Sequence, residues 1–97
     1  MSKAELHKSF TIKNTLGLHA RAAANFVRVA SRFESSVKVQ KDGYLVDGKS
    51  ILGVLSLAAV RGSRIDIIIS GKDSEAALQE IENLIESGFG EGTHREK

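Results

Sequence analysis

The sequence has 97 residues, of which 41% are hydrophobic and 27% charged, and it contains no cysteine, proline or tryptophan. At this length the apolar residues can build only one hydrophobic core, so we predict a single small domain without disulfides or thiolate metal sites. The 14 basic and 12 acidic residues nearly cancel and form no block, which argues against nucleic acid as a partner.

Two further patterns bear on where the chain acts. The longest apolar run, residues 51–60, is much shorter than the roughly 20 residues of a membrane-spanning helix. The polar start of the sequence lacks the apolar region of a secretory signal peptide. We therefore predict a cytoplasmic protein that does not insert into membranes, and because the three histidines lack ligand spacing we predict no metal site.

The first half of the chain shows three changes of hydrophobic period. Residues 9–13 alternate between polar and apolar, which places Phe10 and Ile12 on one face of a strand. From Ala20 the apolar spacing becomes three and four residues and predicts a helix over residues 20–33. Alternation returns on both sides of a turn signal at residues 41–43, which predicts a β-hairpin.

The second half predicts a helix, a strand and a last helix. Ser50 is well placed to cap a second helix that begins at Ile51 and ends near residues 61–62. Residues 64–70 are rich in β-branched side chains and predict a central strand. Asp73 or Ser74 can cap a last helix, which Gly88 ends.

The resulting order, β-α-β-β-α-β-α, predicts an α+β fold with one four-stranded antiparallel sheet and helices on one face. The predicted domain spans residues 1–89. Residues 90–97 have no apolar period, so we expect a flexible C-terminal tail there.

The stretch GLHARAAANF, residues 17–26, places His19 just before the first helix and Arg21 in its first turn. The unpaired amides and the positive end of the helix dipole favour an anion at this point. A phosphoryl group on the imidazole would accept hydrogen bonds from these amides and from Arg21. Small residues expected to keep the approach open to a partner are Gly17, Ala20 and Ala22. From the residues alone, a histidine that only caps the helix is the commoner outcome.

The stretches GLHARAAANFVRVASRF and DGKSILGVLSLAAVRGSRIDIIISGKDSEAALQEIENL together resemble the HPr family, the histidine-containing phosphocarrier proteins of the bacterial phosphoenolpyruvate:sugar phosphotransferase system, and its nitrogen-branch relatives. The resemblance covers roughly residues 9–89. It implies an open-faced β-sandwich with three helices, and a carrier that is not itself an enzyme and needs no cofactor. It implies that His19 accepts a phosphoryl group from enzyme I on Nδ1 and passes it to an EIIA protein or domain, with Arg21 assisting. The family's usual proline after the arginine is Ala22 here, which bears on transfer rate and partner fit.

Ser50 matches the family position that a dedicated HPr kinase/phosphorylase modifies in many bacteria. A simple helix cap is the alternative, and both roles are compatible because a phosphate there would lie at the positive end of the helix. The second helix is too short to bury all its apolar residues. In the family this helix and the start of the first meet enzyme I and EIIA. In this chain we expect Arg21, Lys49 and Arg28 to surround the contact with positive charge, which favours acidic partners. The docking residues expected on this basis are Ala20, Lys49, Ile51, Leu52 and Leu55.

Other functions remain open at this stage. One is a non-catalytic regulatory HPr paralogue, of the nitrogen branch or of carbon control, that acts by docking. This chain retains His19, unlike the regulatory paralogues that keep the fold but replace the active histidine. An RNA-binding domain needs a basic, aromatic-bearing sheet face or a basic G-x-x-G loop, and neither is evident. We expect a monomer. Residues 49–57 resemble sugar-branch carriers and residues 85–91 nitrogen-branch ones, so the branch and the downstream acceptor stay open.

Overall fold

The computed structural model describes residues 5–90, and over this range the chain folds into the predicted order of elements. The strands and helices are β1 (Glu5–Thr11), α1 (Ala20–Ala30), β2 (Ser36–Lys41), β3 (Tyr44–Asp47), α2 (Ile51–Ser56), β4 (Arg64–Ser70) and α3 (Ser74–Glu86). The predicted flexible tail, apart from its first residue, Gly90, lies outside the described residues.

The sheet is antiparallel throughout and has the strand order β1-β4-β2-β3. β4 lies between two neighbours, which confirms its predicted central position. Alternate β4 side chains, including Ile67, are fully buried under the helices, where they join one core with Phe26 of α1, Val54 of α2 and Ile81 of α3. The three helices therefore cover one face of an open-faced β-sandwich, and no helix within residues 5–90 combines the length and apolarity needed to cross a bilayer.

Three element boundaries differ from those expected from the sequence. β1 begins by Glu5 rather than at residue 9, because residues 5–8 pair with residues 67–70 of β4, so His7 lies in a strand and not in a polar leader. α1 ends at Ala30 and its chain continues in turns to residue 33. α2 ends at Ser56, several residues early, because Ala58 takes a positive φ of 50° that leaves the helical region.

Loop bonding accounts for the early end of α2. The backbone N–H of Leu18 donates to the carbonyl of Ala59 at 2.9 Å, and Ile12 and Ser63 are joined N–H to carbonyl at 2.9 Å. These bonds hold the segment after α2 against the segment before α1. The segment that leads into α1 is thus held in place by the segment that follows α2.

Asp73 precedes α3 but does not cap it with its side chain. Its carboxylate accepts hydrogen bonds from the backbone amides of Glu34 and Ser35, each at 2.9 Å, and from the Ser35 hydroxyl. These bonds lower the pKa of Asp73 below its usual value, and the bond from the Ser35 hydroxyl contributes most. The side chain therefore links the start of α3 to the connection that leads into β2.

Candidate functional site

His19 is the N-cap residue of α1 and has an extended backbone, with φ −78° and ψ −174°. Its Nδ1 accepts hydrogen bonds from the backbone N–H groups of Arg21 at 3.1 Å and Ala22 at 3.3 Å. Its carbonyl accepts the N–H of Ala23 at 2.8 Å, the first bond of the helix. Since Nδ1 is the acceptor in this arrangement, the ring hydrogen of the neutral imidazole is on Nε2. The Nδ1 lone pair therefore points at the first N–H groups of the helix, which have no carbonyl partner within it.

The loop before His19 is held by close contacts. Gly17 has φ +67°, and a Cβ at this position would collide with the Ala59 carbonyl oxygen and lie 2.9 Å from the Val60 Cα. The Asn14 side-chain amide donates to the Gly17 carbonyl at 2.9 Å, and Leu18 is buried. Sequence reasoning did not assign a role to Asn14, although asparagine three residues before a glycine is typical of such turns. The loop fixes the position of the imidazole.

The small residues around His19 serve a different purpose from the one expected. Gly17 and Ala22 are buried, and only Ala20 of the three is exposed. The prediction that Gly17 and Ala22 keep the approach open for a partner is therefore wrong: both are small because protein atoms surround them. Ala20, the residue that follows His19, remains exposed at the surface.

The predicted cations do not gather at one place. Arg21 is exposed in the first turn of α1, two residues after His19 in the chain. The Lys49 ammonium instead donates to the Phe33 carbonyl at 2.7 Å, beyond the other end of this helix. α1 has 11 residues and is roughly 16 Å long, so Lys49 does not lie with His19. The Arg28 guanidinium donates to the Asn25 side chain within the same helix.

Ser50 is the N-cap residue of α2, as predicted. Its Oγ accepts the backbone N–H of Gly53 at 3.0 Å, and the side chain is half-buried. A Cβ at Gly53 would approach the Ser50 Oγ to 3.3 Å, so the small residue leaves room for the cap. The hydroxyl is thus at the start of α2 and close to its surface.

Apolar side chains are exposed on α2, as expected from its short length. Leu52 is 76% exposed, Ile51 is also exposed and Leu55 is half-buried, while Val54 is buried in the core. Leu16 and Val60, at 67% and 63% exposure, add apolar surface that sequence reasoning missed. In the sequence Leu16 lies among turn residues, and Val60 ends the apolar stretch 51–60.

A polar cluster lies on the uncovered face of the sheet, away from the helices. Asp66 of β4 accepts hydrogen bonds from the Ser9 hydroxyl and from Arg64, and the first of these contributes most to lowering the pKa of Asp66 below its usual value. Within residues 5–90, the fold brings together no three acidic or histidine side chains that could hold a metal ion.

Comparisons with known proteins agree with this geometry. Residues 6–87 match the family described as PTS HPr component phosphorylation site. The phosphocarrier protein HPr of Neisseria meningitidis serogroup A is 45% identical over 87 residues, which are 90% of this chain and 98% of the relative.

Solved structures show the same relationship in three dimensions. A crystal structure of HPr-C-His from Thermoanaerobacter tengcongensis is 44% identical, covers 89% of this chain and 97% of that one, and has a TM-score of 0.85. A crystal structure of an HPr dimer from the same organism is 46% identical, covers 84% of this chain and 94% of that one, and has a TM-score of 0.72. The similarity extends over nearly the whole of each solved chain.

Proposed function

Since the chain belongs to the HPr family of phosphocarrier proteins, we propose that it carries a phosphoryl group on His19 in the phosphoenolpyruvate-dependent phosphotransferase system. It accepts the group from enzyme I and passes it to an EIIA protein or domain. It acts in the cytoplasm and needs no cofactor. The observation that carries this proposal is the direction of the Nδ1 lone pair of His19, which faces two backbone N–H donors at the start of α1.

The chemistry requires a nitrogen lone pair and a place for the phosphoryl charge. Nδ1 attacks phosphorus, the bond between phosphorus and the donor atom of enzyme I breaks, and its electron pair stays with the donor. The transferred oxygens then accept hydrogen bonds from the amides of the first turn, where the positive end of the helix dipole also favours them. The exposed Arg21 guanidinium adds a charge-assisted bond. Because partners supply the remaining catalytic groups, the chain is a carrier and not an enzyme.

The most direct experiment is phosphorylation in solution. Phosphoenolpyruvate and enzyme I are expected to add one acid-labile phosphoryl group to the full chain, measured by intact-mass spectrometry. His19→Ala is expected to abolish the addition. His7→Ala is the matched control, because it removes an exposed imidazole of β1 and is expected to leave phosphorylation unchanged. A wild-type chain that stays unmodified would exclude the carrier function and leave a docking-only paralogue.

Docking and regulation complete the proposal. Partners dock on the exposed apolar side chains of α2 and on the start of α1; the proposed contact residues are Ala20, Lys49, Ile51, Leu52 and Leu55. An HPr kinase/phosphorylase regulates the carrier by phosphorylating Ser50. The support for this site is its position, since the Ser50 hydroxyl is next to the exposed Ile51 and Leu52 and a phosphate there adds charge to the docking surface.

A further inference from the structure

The backbone N–H of Ala22 is a donor to His19 that proline cannot provide. Its nitrogen is 3.3 Å from Nδ1, beside the Arg21 amide at 3.1 Å. Proline, which the resemblance implies as the usual residue here, has no N–H and could not form this bond. Two amides therefore converge on one lone pair in this chain, and one of them depends on the identity of residue 22.

The direction of the Ala22 N–H is fixed by the core. Ala22 and Ala23 are both fully buried, so the first turn of α1 cannot rotate without disturbing the packing under it. The N–H belongs to the first turn, where the helix itself offers no carbonyl partner. The donor is thus unused by the helix, held in place, and aimed at the reacting nitrogen.

On the basis of the proposed carrier function, we propose that the Ala22 N–H is a positioning group for phosphoryl acceptance. Before transfer it keeps Nδ1 as the acceptor nitrogen, with the ring hydrogen on Nε2. During transfer the bond between phosphorus and the donor atom breaks and its electron pair stays with the donor, an N–P bond forms at Nδ1, and no proton has to leave this nitrogen. Because the Nδ1 lone pair is then part of the N–P bond and can no longer accept a hydrogen bond, the Ala22 N–H donates to a phosphoryl oxygen instead.

Removing the N–H while keeping the side chain gives the sharpest experiment. A full-length chain made by chemical synthesis with L-lactate in place of Ala22 has an ester oxygen where the N–H was. Ala22→Pro removes the same donor by an ordinary substitution. Ala22→Gly is the matched control, because it keeps the N–H and removes only the buried methyl group.

Two readouts separate a positioning role from a structural one. We expect the ¹⁵N shifts of the His19 ring to show a smaller fraction of the Nε2–H tautomer in the lactate and Ala22→Pro proteins, with Ala22→Gly close to wild type. We also expect phosphohistidine in these two proteins to hydrolyse about tenfold faster, because a bond to a charged group is lost. Thermal unfolding of each protein shows how much of any change comes from stability.

The outcomes distinguish this inference from the function on which it rests. A wild-type chain that enzyme I cannot phosphorylate overturns both. A wild-type chain that is phosphorylated, with unchanged tautomer and hydrolysis rate in the lactate protein, overturns the role of Ala22 alone. If Ala22→Pro fails to fold, the lactate protein decides the question.

Discussion

His19 caps the N-terminus of α1 with the same Nδ1 lone pair that the proposed transfer uses. In the unmodified chain Nδ1 accepts two N–H bonds of the first turn. In the proposed phosphorylated state the phosphoryl oxygens are the acceptors for these donors, so the helix start keeps hydrogen-bond partners in both states. The same Nδ1 lone pair therefore serves as the helix cap and as the proposed nucleophile. The two roles of His19 that the sequence left open are compatible.

Gly17 lends itself to a direct prediction at the residue scale. Gly17→Ala is expected to lower the free energy of unfolding by about 2 kcal/mol or more, because the methyl group meets the residue 59–60 backbone in addition to the cost of a positive φ. Urea-induced unfolding measures the loss. Gly43→Ala is the control, since Gly43 has a similar φ of +82° but nothing within 4 Å of its Cβ position.

Comparing the two glycines isolates the close contact. If both alanine variants lose the same stability, the residue 59–60 backbone does not restrict Gly17, and the loop before His19 is looser than the contacts indicate. The sequence could identify Gly17 as a break in alternation, but its packing partner is more than 40 residues away. For this reason the sequence indicated an open approach where the structure has a filled one.

At the scale of elements, local periodicity identified each helix and strand but not all of their ends. The period of α2 continues past Ser56, yet the segment after it leaves the helix to bond with residues 12–18. Similarly, the start of β1 is fixed by pairing with β4 and not by its own pattern. Ends that depend on distant partners cannot be derived from the local sequence.

Asp73 provides a prediction about how elements are joined. Its pKa is lowered in the folded chain by the Ser35 hydroxyl and by the amides of Glu34 and Ser35. Its ionised form therefore favours folding, fully above the unfolded carboxyl pKa of about 3.9 and progressively less as the pH falls through the lower folded value. Asp73→Asn is expected to reduce stability at pH 7, with the difference from wild type shrinking below about pH 4.

Chemical denaturation at a series of pH values measures this difference. Glu75→Gln is the matched control, because it removes a carboxylate from the first turn of the same helix, where it is exposed. An Asp73→Asn difference that stays constant down to pH 2 would show that the charge of Asp73 contributes nothing to holding the link into β2.

At the scale of the whole molecule, the helices and the sheet give the protein two unlike faces. α1 and α2 pack against each other on the covered side, which carries both His19 and Ser50, while the opposite face of the sheet carries the cluster around Asp66. The order of elements predicted this architecture from the sequence. The expectation of a monomer stays a prediction, and one relative with a solved structure is a dimer.

The location of the site was predictable for a different reason from the fold. A histidine before a helix is common, and only the second motif around Ser50, at the right distance along the chain, made a phosphoacceptor the better interpretation. The position of Lys49 was not predictable, because its partner, the Phe33 carbonyl, lies at the end of another helix. Positive charge near His19 therefore comes from Arg21 and not from a ring of cations.

The last prediction concerns charge on the proposed docking surface of α1 and α2. Ser50→Asp is expected to slow enzyme I-dependent phosphorylation of His19 by roughly threefold or more, because it adds a negative charge beside Ile51 and Leu52, where we propose that an acidic partner docks. Ser50→Asn is the control, because asparagine has nearly the same shape as aspartate and can cap α2 but carries no charge. The rates are measured by stopping the phosphorylation reaction at successive times and determining the phosphorylated fraction by mass spectrometry. Raising the salt concentration should bring the two variants together by screening, and equal rates at low salt would mean that Ser50 is only a helix cap.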